Sequence, residues 1–159
     1  MKIKIICVGK LKEKYLKDGI LECTKRISRF SDVEITELSD EKIPENYSES
    51  EKQKVLEKEG EKILKALGKD DYLVSLCVEG KQISSEELSK KISDITLSGK
   101  STISFIIGGS LGIDDKIKKL SDFRLSFSKM TFPHQLMRLV LLEQIYRAFK
   151  INANEEYHK

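Results

Sequence analysis

The sequence predicts an α/β domain with a mainly parallel sheet and helices on both faces. Two patterns lead there. Strand-like and helix-like segments alternate five times along the 159 residues. The two central strand candidates, Tyr72–Val78 and Thr102–Ile107, are near-continuous apolar runs, as expected where a strand is covered on both sides. One domain, residues 1–159, fits the length, and a chain of that size buries most of the apolar surface of its unfolded form. No apolar run approaches the roughly 20 residues that cross a bilayer, and the apolar part of the N-terminus is too short for a signal peptide. A cytoplasmic protein without a membrane partner is expected.

Lys2–Val8 alternates and is rich in Ile and Val, so it reads as the first strand, with Gly9-Lys10 turning the chain. Leu16, Ile20, Cys23, Ile27 and Phe30 then recur at steps of four and three, one face of a helix. Val33–Leu38 is the second strand, and residues 39–47, with Pro44 and Asn46, are loop. Ser48 and Ser50 each precede a Glu or Gln by three residues, the spacing of a capping box. The acidic helix that follows buries Leu56, Ile63 and Leu67 and should stop at Gly68 in a left-handed cap. After Tyr72–Val78, Glu79-Gly80-Lys81 reads as a turn. Ser84 with Glu87 opens a helix carrying Leu88, Ile92 and Ile95 inward. Asp114–Leu120 is a short helix and Arg124–Ser126 a short last strand. Thr131 can cap the final helix, with Pro133 in its first turn.

That final helix is apolar almost all round. Leu136, Met137, Leu139, Val140, Leu141, Leu142, Ile145, Tyr146, Ala148, Phe149 and Ile151 occupy too much of its circumference for a single core face. Either it is buried within its own domain, or its second side meets another subunit, most simply in a homodimer.

The net charge of +3 conceals a strong polarity. Residues 1–30 hold nine basic and three acidic side chains, residues 31–61 four and eleven, residues 62–115 seven and eight, and residues 116–159 nine and four. Basic ends suit a polyanion such as RNA, and the acidic helix is expected to lie away from it. Cys7, Cys23 and Cys77 are odd in number, far apart and set among apolar residues, as buried free thiols are. With no Cys-x-x-Cys and only two histidines, no metal site is expected.

Two stretches carry chemistry. Gly108, Gly109 and Gly112 directly follow a buried strand, where open α/β folds bind ligands. Their spacing is not that of a dinucleotide fold, and Gly99-Lys100-Ser101 lacks the first glycine of a phosphate loop because residue 94 is Asp. These glycines either admit a ligand close to the backbone or merely turn the chain. In Ser126–His134, Phe127, Met130 and Phe132 alternate with Ser128, Lys129 and Thr131, the mixture of apolar wall and polar groups found in small-molecule pockets. His134 lies one helical turn before Arg138, a titratable group and a fixed cation on one face.

The run Leu125-Ser-Phe-Ser-Lys-Met-Thr-Phe-Pro-His-Gln-Leu-Met-Arg138, with Glu143-Gln-Ile-Tyr-Arg-Ala-Phe-Lys150 and the ending Tyr157-His-Lys159, resembles a family of bacterial ribosomal RNA methyltransferases of the SPOUT class. Val8-Gly-Lys-Leu-Lys12, Glu79-Gly-Lys81 and Phe105-Ile-Ile-Gly-Gly-Ser110 match too, so the resemblance spans the chain. It implies a C-terminal trefoil knot, which general topology rules would not have suggested. It implies S-adenosylmethionine as cofactor, held by Leu76, Gly108 and the run Phe127, Ser128, Lys129, Met130, Thr131 and Phe132. It implies methylation of N3 of the pseudouridine at position 1915 of 23S ribosomal RNA, in the assembled ribosome. His134 is then the first candidate for base, with Arg138 stabilising developing negative charge, and Tyr157 and His158 of the tail are the second. The tail would act in its own chain or in a neighbouring subunit's pocket. Lys129, Arg147 and Lys150 would position phosphates. The competing reading is a non-enzymatic RNA- or ribosome-binding dimer of the same fold, without affinity for the cofactor.

Overall fold

Five parallel strands form one sheet, in the order β2-β1-β4-β3-β5. In the computed structural model, which describes all residues Met1–Lys159, they are β1 (Lys2–Val8), β2 (Asp32–Leu38), β3 (Tyr72–Gln82), β4 (Thr102–Ile107) and β5 (Phe123–Ser126). The helices are α1 (Lys14–Ile27), α2 (Glu49–Ala66), α3 (Ser85–Leu97), α4 (Asp115–Leu120) and α5 (His134–Asn152). Alternate residues of β1 feed two cores. Ile3, Ile5 and Cys7 pack with α1, α3 and α5, whereas Ile6 and Val8 pack with Ile63 of α2 and Ile117 of α4. Both faces of the sheet are therefore covered, which is why its central strands can be apolar throughout. Each of these fully buried isoleucines contributes about 1.5–3 kcal/mol. Cys7 is buried, and burial pushes its thiol up to about 12; Cys23 and Cys77 are only half-buried, against the expectation of three buried thiols. No helix is long and apolar enough to cross a membrane.

Capping boxes start two helices where the sequence places them. Ser48 Oγ accepts from Glu51 N–H (3.2 Å), and Ser84 Oγ accepts from Glu87 N–H (3.1 Å). Ser50 caps nothing; it lies inside the first turn of α2. Two other expected caps are corrected. α2 ends at Ala66 with Leu67 extended, and Gly68 is not left-handed. Its N–H instead donates to Asp71 Oδ2 (2.9 Å), and a Cβ there would meet that carboxylate at 2.5 Å, so closeness rather than handedness selects glycine. Thr131 does not cap α5, because Pro133 occupies the position before the first helical residue and no side chain caps that end.

The turn expected at Glu79–Lys81 is a bulge inside a longer strand. β3 pairs with β5 through Leu76, leaves the ladder, and pairs with the same strand again from Lys81, so that Leu125 lies opposite both Leu76 and Lys81. Residues 77–80 have no partner in either ladder of β3. A side chain at Gly80 would meet the Arg124 and Leu125 backbone at 2.8–2.9 Å, so only glycine lets the bulge lie this close to β5.

α5 packs between α1 and α3 and onto the sheet, which accounts for much of its apolar circumference within one chain. Leu141, Leu142, Ile145 and Ala148 are fully buried, and Gly19 of α1 lets the Leu139 side chain approach to 3.1 Å of where its Cβ would be. The first turns of α5 are held by an ion. Arg138, only 2% exposed, donates to Glu37 Oε2 at the end of β2 (2.7 Å) and to the Gly9 carbonyl after β1 (2.7 Å). Leu11 N–H donates to the same Glu37 oxygen (2.7 Å). Burial opposes ionisation of Glu37, but these bonds hold its carboxyl below the usual range.

Replacing Arg138 by Met should lower unfolding free energy by about 3 kcal/mol in chemical denaturation, because two charge-assisted bonds go and their acceptors stay behind. Glu37→Gln should cost less, since an amide oxygen still accepts from the guanidinium.

Candidate active site

The carboxyl ends of β3, β4 and β5 open into a cavity of about 370 Å³. Its walls come from the β3 bulge (Leu76–Glu79), the glycine loop after β4 (Gly108–Gly112), and the segment between β5 and α5. Parallel sheets leave unpaired strand ends and helix starts at this edge, the usual place for a ligand. The glycine loop is folded on itself: Gly112, at φ +93°, donates its N–H to the Gly109 carbonyl (3.0 Å). A Cβ on Gly108 would lie 2.4 Å from the Gly112 carbonyl oxygen, so Gly108 is confined to glycine by backbone on one side and faces the cavity on the other. Across from it, the Ser128 hydroxyl accepts from Met130 N–H (3.0 Å) and its carbonyl accepts from Ser126 Oγ (3.1 Å). These local bonds hold the chain irregular, leaving Phe127 and Phe132 as apolar walls.

Seven of the eight residues expected around a cofactor line this cavity: Leu76, Gly108, Phe127, Ser128, Met130, Thr131 and Phe132. Lys129 does not; it is exposed on the outside of the same loop. His134 lines the cavity at the start of α5, with its Nε2 3.7 Å from where a Gly9 Cβ would be. Burial first, and then the neighbouring Arg138 cation, hold its imidazole below the usual value, while Asp40 pulls the other way. Arg138 is not in the cavity wall: the guanidinium expected to meet developing charge is spent on Glu37 and Gly9. The side chain aligned with His134 by helical spacing thus points into the fold.

The tail lies elsewhere. Tyr157 donates to Glu143 (3.1 Å) and packs edge-on against Tyr146, and His158 meets Arg147 (3.3 Å) and Glu86 (2.6 Å). No tail residue lines the cavity of its own chain. Of the cations expected to position phosphates, Arg147 is held by Glu143 (2.6 Å) and Lys150 by Glu155.

Sequence reasoning missed four contributors. Glu79 and Lys118 form an ion pair at the cavity wall, 39 positions apart, and nothing in their local sequence links them. Glu37, 101 positions from Arg138, stands in an ordinary strand pattern. Met137 was assigned to the helix core and also lines the cavity; its place one turn after His134 was the available signal.

Comparison with known proteins places this geometry. The family described as "Predicted SPOUT methyltransferase" matches residues 1–158. Proteins called ribosomal RNA large subunit methyltransferase H from Leuconostoc citreum and Streptococcus uberis are each 60% identical over 159 residues, covering all of both chains. The protein of that name from Streptococcus pyogenes serotype M5 is 55% identical over the same length. Among solved structures, a tRNA (m1G37) methyltransferase from Aquifex aeolicus superposes with a TM-score of 0.54 at 14% identity, over 92% of this chain and 70% of that one, a likeness of fold. With a parallel five-stranded sheet, a cavity at its carboxyl edge and a family match from end to end, the chain belongs to the SPOUT methyltransferases.

Proposed function

We propose that this protein is a single-unit, S-adenosylmethionine-dependent methyltransferase, residues 1–159, that methylates N3 of pseudouridine 1915 of 23S ribosomal RNA in the assembled cytoplasmic ribosome, and that it works as a homodimer. The observation that carries the reading is the cavity at the ends of three strands, with His134 on its wall. The full-length relatives, named as large-subunit ribosomal RNA methyltransferases, support the substrate class. The SPOUT trefoil knot, with the segment after β5 threaded beneath a loop, belongs to the same proposal. Its support is the close lie of the Gly80 bulge on Arg124–Leu125.

The cavity fits the cofactor. Its volume is that of small-molecule sites, and its walls mix Phe, Met and Leu with backbone polar groups and three serines. Gly108 leaves its backbone bare where an adenine edge can approach, and the loop 127–132 supplies further backbone donors and acceptors. When bound, the cofactor supplies an electrophilic methyl group on a positively charged sulfur that becomes neutral as the methyl leaves. An apolar wall suits that loss of charge.

Attack by N3 requires its proton to leave. His134, kept neutral by burial, is able to accept it at neutral pH, and Arg138 serves by fixing the α5 turn that presents this imidazole. Tyr157 and His158 enter the mechanism from the partner subunit. They sit outside their own cavity, at the end of a helix whose outward residues Leu136 and Val140 are apolar and half-buried. The tail then completes the partner's site and makes the dimer obligatory for turnover.

Ribosomes lacking the mark should take up labelled methyl from S-adenosylmethionine in 23S RNA, with free RNA far poorer; no incorporation into ribosomes, free large subunits or RNA would refute the assignment. Gly108→Ala should weaken cofactor binding about tenfold or more in calorimetry, because a Cβ facing backbone at 2.4 Å must displace the loop. The acid limb of the kcat/KM profile should follow His134 and lie below the ordinary imidazole value. Asp40→Asn removes the anion that raises this pKa, so it should move the limb to lower pH, as a pH–rate profile will show.

A further inference from the structure

We infer that the exposed lysine strip Lys10, Lys12, Lys14 and Lys17, where the chain leaves β1 and enters α1, is the surface that grips the RNA phosphate backbone beside the target nucleotide. This rests on the RNA-methyltransferase reading above and names the docking surface that reading lacks.

Position is the first argument. Gly9 lies under the His134 ring, Leu11 N–H is bound to Glu37, and Lys12 N–H donates to Gln135 Oε1 (3.1 Å). The strip is thus fastened to the start of α5, at the His134 side of the cavity, by the same Glu37 that holds Arg138. The backbone carrying Lys10 and Lys12 runs directly beside the helix turn that holds His134 and Gln135, where phosphates flanking a nucleotide at His134 would lie.

Charge is the second. All four side chains are exposed. Lys10, Lys12 and Lys17 make no ion pair, and Lys14 only approaches Asp18 at 3.9 Å with both side chains largely in water, a contact of little strength. This contrasts with Arg147 and Lys150, which are engaged by Glu143 and Glu155. One exposed acid, Glu13 at the α1 N-cap, lies inside the strip, which leaves four lysines against one carboxylate over residues 10–17. The first turns of α1 and α5 hold no acidic residue, whereas those of α2 and α3 hold two each. Lysine at a helix start is unfavourable for the helix itself, and a polyanion reverses that.

The test measures binding of the full-length protein to 70S ribosomes and to protein-free 23S RNA between 50 and 200 mM salt, roughly the range where counterion release is read. A variant with Lys10→Gln, Lys12→Gln, Lys14→Gln and Lys17→Gln should flatten the slope of log K against log salt by about 3, from four lost phosphate contacts. Its unfolding midpoint and cofactor affinity should stay as in the parent, and Lys→Arg at the same four positions should restore the slope. Lys54→Gln, Lys58→Gln, Lys65→Gln and Lys69→Gln together change net charge equally and should leave it nearly unaltered. The inference is overturned if the strip variant keeps the parental slope, if the second set flattens it as much, or if flattening occurs on ribosomes but not on bare RNA, which would mark a protein partner. If the parent itself neither binds nor methylates ribosomes, the functional reading has failed and the docking surface falls with it. Methylation by the strip variant with parental KM would remove the surface alone.

Discussion

One buried cation ties the cavity edge of this molecule together. Arg138 reaches from α5 to the ends of β1 and β2, and its two bonds, to the Gly9 carbonyl and Glu37, fix three separate segments against each other. A guanidinium with almost no water access is costly to bury unless its partners are well placed. Here the anion is itself held by Leu11 N–H, so the β1–α1 turn, the start of α5 and the end of β2 form a single unit. His134 and the backbone of residues 9–12 lie next to each other on that unit. The arginine never touches the cavity, yet the placement of what does depends on it.

The cavity is made by irregularity at the end of a regular sheet. β1, β2 and β4 run in unbroken parallel register, and the exceptions are the places where ligand space opens. The β3 ladder breaks between Leu76 and Lys81, the chain after β4 folds back through Gly112, and β5 lasts only four residues before Phe127. Two glycines permit this because their missing side chains would collide with backbone: Gly80 with Arg124–Leu125, and Gly108 with Gly112. The charged pair Glu79–Lys118 spans from the bulge to α4 and stiffens the wall they create.

The same edge is electrically divided. α2 and α3 start with capping boxes and glutamates that satisfy their own dipoles. α1 and α5 start without a side-chain cap and with no acid in their first turns; α1 carries Glu13 at its N-cap, flanked by Lys12 and Lys14.

The sequence alone determined the alternation of elements, the apolar central strands and both capping boxes, and it marked residues 108–112 and 126–134 as candidate ligand stretches, because these depend on local periodicity and on glycine or serine at particular places; Leu76 and the assignment of these residues to a cofactor came with the family resemblance. It left undecided whether α5 is wrapped by its own chain or by another, since an apolar circumference looks the same in both cases; the packing of α1 and α3 against it settled how much one chain absorbs. It mistook the Glu79–Lys81 bulge for a turn, because leaving a ladder and leaving a strand have the same local signature. It paired His134 with Arg138 from helical spacing, which is correct for neighbours but silent about depth. Only the tertiary structure decided that one faces the cavity and the other points inward, because the anion that draws Arg138 inward lies 101 residues away on another strand.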